Sequence, residues 1–141
     1  MKLALRTVRL VQIAMLVSVG IYAVLGEVVR PPYTAPQSFL YAASVASIAL
    51  VGAILVVRRT LVLQSEIELR QKPDDPITLS RWRAGYVVTY ALCEALALFG
   101  LTLRLVGFSL NNVWPYYAGG FILMLLFWPK LPKAEMRGLS A

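Results

Sequence analysis

The chain has 141 residues, of which 59% are hydrophobic and 15% charged, with a mean hydropathy of +0.69. A soluble domain is about 45–50% apolar, so this composition argues for membrane spans joined by short polar loops. The net charge of +7 then reflects the basic bias of membrane loops and implies no nucleic-acid partner. The chain has no histidine, which removes the commonest general base and the usual ligand for haem, zinc or copper. Nucleotide-binding and redox-cysteine motifs are also absent. No metal, no cofactor and no soluble-type enzyme chemistry are expected.

Residues 8–25 form the first apolar stretch. Lys2, Arg6 and Arg9 give it the basic start of a secretory signal, but no small-x-small site stands near Gly26, so it is expected to remain as a span. Pro31, Pro32 and Pro36 make residues 27–37 an irregular, extended connection. The second stretch, residues 38–57, carries Ala42, Ala46, Ala49 and Ala53 at i, i+4, i+7 and i+11. Such a stripe of small residues permits close helix approach.

Residues 58–83 make the long polar connection. Residues 58–72 read as a helix running on past the membrane, ended by Pro73 and Pro76 around Asp74 and Asp75, with Thr78 or Ser80 capping the next helix. Arg70, Gln71, Arg81 and Arg83 here are either a solvated face or a docking platform for another subunit. The third stretch, residues 84–107, is long enough to span, with Glu94 and Cys93 in its middle. Cys93 reads as a small core residue. Asn111 and Asn112 form a turn before the fourth stretch, residues 113–128, which is short and interrupted by Gly119 and Gly120. Trp114, Tyr116, Tyr117 and Trp128 resemble interfacial anchors, and Pro129 and Pro132 stop the helix.

These four stretches predict an all-α, polytopic membrane protein, a single membrane domain over residues 1–141. With the N-terminus inside, 12 of the 14 basic residues fall on inner segments; only Arg30 and Arg104 lie toward the outside. That bias puts both termini in the cytoplasm, with a bacterial inner membrane as the setting.

Glu94 is the candidate site. An acid at mid-bilayer depth costs about 2.5–3.5 kcal/mol on insertion scales and is functional by default. Tyr90, one turn below on the same face, could hydrogen-bond it. Arg104 cannot pair with it within the helix, being about 15 Å along the axis and about 80° around it. The partner must come from another helix or another chain.

The segment from Arg81 to Leu101, RWRAGYVVTYALCEALALFGL, resembles the second helix of the c subunit (proteolipid) of rotary ATP synthases. Arg81 and Arg83 match its basic pair, and Glu94 follows the second base by 11 residues. Ala95, Leu96, Phe99, Gly100 and Leu101 match the run after the carboxylate, and Arg70-Gln71 with Pro73 is similar to the polar loop. The resemblance implies a helical hairpin in which Glu94 carries a proton or sodium ion. The chain departs from that family in having Gly52 alone where the first helix carries a glycine ladder, and two additional spans. The function expected is a small membrane subunit in which Glu94 carries a proton or anchors contacts within a self-oligomer or with other subunits. The alternatives are a structural accessory subunit of a respiratory or photosynthetic complex, and a small proton or cation transporter or channel.

Overall fold

The computed structural model describes residues 2–29, 31, 35–72 and 75–129. Arg30, Pro32, Pro73, Asp74, Lys130, Pro132, Lys133 and Arg137, to which the sequence assigned loop or orientation roles, lie outside them. The described residues are helical, without strands: α1 (Lys2–Val28), α2 (Gln37–Val57), a π-helical turn (Arg58–Leu63), α3 (Gln64–Gln71), α4 (Pro76–Leu105) and α5 (Leu110–Leu126). Three helices are long and apolar enough to cross a membrane: Leu3–Val28, the continuous rod Gln37–Gln71, and Pro76–Leu105.

α4 is the hub. α1, α2, the π turn, α3 and α5 all pack on it, and α1 also touches α5. Its sequence explains this role, because small residues recur on more than one face. Gly85 meets Leu61 and Val62 of the π turn, Gly100 meets Tyr116 and Tyr117, and Ala97 meets Gly120. Small side chains let helix backbones approach closely, which drives association where hydrocarbon surrounds both partners. α1 offers a single stripe to this core, with Ala4, Val8, Gln12, Val19 and Gly26 buried at helical spacing.

The helix expected to run on past the membrane is present: α2 continues through the π turn into α3, which ends at Gln71. The connection is shorter at its other end, because α4 begins at Pro76, eight residues before the expected span. The reason for the π turn lies in the spacing of buried residues. Ser47, Ile54, Val62 and Leu69 face α4 at intervals of 7, 8 and 7 residues. A straight α-helix holds a face at intervals near seven, so the interval of eight carries one extra residue, and the π turn absorbs it.

Pro76 opens α4 instead of closing the preceding helix, because proline has no amide hydrogen to lose in the first turn. The cap is Asp75, not Thr78 or Ser80. Its carboxylate accepts from the Thr78 amide at 3.1 Å and from the Thr78 hydroxyl. Those bonds, the hydroxyl's first, hold the Asp75 carboxyl below the usual carboxylate range. A depressed folded-state value means that the cap contributes fully above the unfolded value of about 3.9 and is lost as pH falls through the lower folded value. Asp75→Ala should therefore lower the thermal midpoint in detergent at pH 7, and the gap to wild type should close at strongly acid pH. Equal midpoints at pH 7 would count against the cap.

At its other end α4 stops in a Schellman motif. Phe108 N–H donates to Leu103 O and Gly107 N–H to Arg104 O, each at 3.1 Å, with Gly107 at φ 97°. Leu103 and Phe108 are both buried, supplying the apolar contact typical of this cap. The helix thus ends at Leu105, two residues short of the span expected to reach Gly107. α5 starts at Leu110, so Asn111 and Asn112 lie in its first turn. Tyr116 and Tyr117 are buried against α4, whereas Trp114 and Trp128 are exposed as anchors would be.

Candidate functional site

Glu94 lies half-buried in α4, about 17 Å from the helix's C-terminal end at 1.5 Å per residue. Its partner comes from α1: the Tyr22 hydroxyl donates to Glu94 Oε1 at 2.7 Å. Tyr22 stands between Val19 and Gly26 of the buried α1 stripe. Gly26 lets α1 close on α4 and α5, since a Cβ there would stand 2.9 Å from Arg104 Cγ and 2.9 Å from the Tyr117 hydroxyl. Tyr117 also reaches the Tyr22 carbonyl at 3.4 Å. The acid therefore sits on a seam whose geometry is set by three helices.

Tyr90 does not serve Glu94. Its hydroxyl donates to the Phe127 carbonyl at 2.9 Å, and its ring packs beside Tyr86 with centroids 5.9 Å apart. The last carbonyls of a helix lack partners within it, and two α5 carbonyls near its C-terminal end are met by side chains. Gln12, fully buried in α1, donates from Nε2 to the Met124 carbonyl at 2.7 Å, as Tyr90 does to Phe127. That demand draws Tyr90 away from Glu94.

Arg104 is engaged elsewhere, as its distance along the helix required. Its guanidinium binds Glu27 at 3.2 Å, the Gly26 carbonyl at 3.1 Å and the Phe108 carbonyl at 2.9 Å. It joins the C-terminal ends of α1 and α4, where the helix dipoles favour a cation. Among the described residues, Tyr22 is the single hydrogen-bond partner of Glu94, and no group of three metal-ligating side chains occurs.

Ala42, Ala46, Ala49 and Ala53 are exposed in the single chain, while α2 meets α4 through Ala43, Ser47, Leu50 and Ile54. Ala42 and Ala46 border a groove against Phe99, Thr102 and Leu103 of α4, and the rod's closest contact is set by Ile54, Val62 and Leu69 farther along. Arg70, Gln71, Arg81 and Arg83 are all exposed, and nothing in the fold gathers them onto one contact.

Two polar features escaped the sequence reading. Glu66 of α3 accepts from the Tyr86 hydroxyl at 3.2 Å and from Trp82 Nε1 at 3.5 Å, beneath edge-packed rings of Trp82 and Tyr86. Arg58 of the π turn lies over the Phe127 ring, 4.1 Å from its centroid. Neither had a local signal, because each is defined by a residue at least 16 positions away.

Comparison with known protein families, curated proteins and solved structures returned no match. The chemistry of the site therefore rests on its own geometry: one carboxyl group, anchored through one oxygen by a tyrosine hydroxyl, partly open at the flank of a helical bundle.

Proposed function

We propose that the chain is a small integral-membrane subunit of a bacterial cytoplasmic membrane, crossing it four times with both termini inside, in which Glu94 takes up a proton beside a neighbouring subunit. The observation that carries this reading is the half-open carboxyl on α4, tied by Tyr22 at 2.7 Å and without a cation among the described residues. An acid closed into the core would be a packing element alone; one left partly open can exchange a proton or meet another chain. The long antiparallel hairpin of the α2–α3 rod and α4, joined by a polar turn, supports the c-subunit-like arrangement. α5, at 17 residues, spans about 25 Å and needs slight local thinning to cross. Exposed Trp114 and Trp128 at its two ends support that placement.

A second reading has a specific observation behind it. The Tyr22–Glu94 bond joins two helices of one chain, as a packing lock would. Interhelical bonds of this kind average about 0.6 kcal/mol.

Treatment of membranes with a hydrophobic carbodiimide separates the two readings. For a proton-accepting carboxyl, Glu94 is modified, modification slows as pH rises, and Glu94→Gln abolishes both labelling and proton movement while assembly persists. Tyr22→Phe then alters the labelling rate severalfold. If Glu94 resists the reagent at every pH, and Glu94→Gln and Tyr22→Phe lower stability equally without touching proton movement, the lock is the correct reading.

A further inference from the structure

A second polar feature lies on the other side of the bundle. α2 and α5 both pack on α4, and between them runs a seam floored by Leu96. At one end of this seam the Ser44 and Tyr116 hydroxyls share a hydrogen bond of 2.8 Å. Beside them opens an apolar groove of about 390 Å³, walled by Ile48 and Val51 of α2 and Pro115 of α5. At the other end, Arg58 lies over the Phe127 ring. Ser47 and Arg58 are 11 residues apart, as are Tyr116 and Phe127, and that interval returns a helix to within about 20° of the same face. Groove and guanidinium thus share one seam, about 17 Å from end to end.

Among the described residues, no acid neutralises Arg58. Its Nη1 is enclosed without a hydrogen-bond acceptor, and no described carboxylate pairs with it, yet the residue remains partly exposed. A second guanidinium, that of Arg9, stands 5.9 Å from the Trp128 ring at the same end of α5. An aromatic face offsets part of a cation's charge but supplies no acceptor. In the membrane reading above, both arginines fall at the inner ends of their spans, and basic groups between helices at that depth bind anionic headgroups.

We propose that the α2–α5 seam binds an anionic phospholipid, its headgroup phosphate at Arg58 with Arg9 adding to the field, and one acyl chain along the apolar groove. The pairing of a cation with an apolar trough on one face selects a lipid over a free anion, which would leave the trough unused. The inference rests on the membrane reading above but not on the role of Glu94.

The test uses the full chain purified in mild detergent, with dioleoyl phosphatidylglycerol and dioleoyl phosphatidylcholine supplied in equal amounts and bound lipid read by native mass spectrometry. Wild type should retain the anionic phosphatidylglycerol preferentially. Arg58→Gln should cut that preference about fivefold, the worth of one interfacial arginine, while Arg59→Gln, whose exposed side chain carries the same charge one residue on, should leave it unchanged. Equal retention of the two lipids by wild type overturns the proposal without need of any variant. So does an equal loss in Arg59→Gln, which would mean a diffuse field and no site. Displacement of the lipid by inorganic phosphate at matching concentration overturns the lipid assignment. A chain that never enters the membrane fraction overturns the membrane reading as well, whereas an inserted chain without lipid preference sinks this proposal alone.

Discussion

Gly120→Leu is expected to pry α5 from α4 and to destabilise the bundle more than any other single substitution on that helix. The first carbon added at Gly120 would already stand 2.7 Å from the Cys93 carbonyl oxygen and 3.3 Å from Ala97 Cβ. Backbone cannot swing aside as a side-chain tip can, so the helices must separate. Overpacking of a well-filled interior costs about 1–3 kcal/mol; Gly120→Ala should fall in that range and Gly120→Leu at or above its top. The consequences reach beyond α5, because Gln12 and Tyr90 both donate to carbonyls near its C-terminal end and would lose their acceptors. Gly52→Ala is the matched control. A Cβ there meets nothing within 4 Å, and replacing glycine by alanine in an open helix position gains up to about 1 kcal/mol. Denaturant titration in mixed micelles measures both. If Gly120→Leu unfolds with the wild-type midpoint, the close α4–α5 approach is not a feature of the molecule in detergent.

The second large effect concerns the π turn, and its size depends on whether a residue is added or removed. Inserting one alanine after Thr60 would rotate everything beyond it by about 100°. Val62, Ser65 and Leu69, all buried on α4, would turn away from it, and Glu66 would leave Trp82 and Tyr86. Loss of burial for Val62 and Leu69 alone is on the order of 3–5 kcal/mol. Deleting Thr60 should do far less. It removes the extra residue, the π turn relaxes to an α-turn, and the buried intervals of 7, 8 and 7 become uniform. Thermal midpoints of the two variants decide the matter: an insertion as stable as the deletion would show that the rod's register against α4 is not what the π turn preserves.

The same register argument separates what was readable in advance from what was not. The existence of apolar helices, the buried Cys93 and the exclusion of Arg104 as a partner for Glu94 follow from local composition and helix geometry. Those properties belong to residues close together in the chain. The continuation of the second helix past residue 57 was readable, but the start of α4 was missed because Pro76 was read as a helix end, whereas it sits in a first helical turn. The alanine stripe is a related case: its residues are exposed in the single chain, and Ala42 and Ala46 border a groove against α4. Spacing defines a face, but it does not say which face the rest of the fold will cover.

Glu94 shows the division most clearly. Its placement in an apolar helix, and the conclusion that its partner had to come from outside that helix, were determined by the sequence alone, since 3.6 residues per turn and the cost of a lone acid in hydrocarbon are local facts. That the partner is Tyr22, 72 positions away, and that Tyr90 is drawn instead to the Phe127 carbonyl, were decided by tertiary structure. Helix packing chose between them. Gly26 brings α1 within reach of α4, the C-terminal end of α5 presents carbonyls that need donors, and the two tyrosines divide accordingly. No pattern within either helix carries that information, because each hydroxyl's acceptor lies on a different helix.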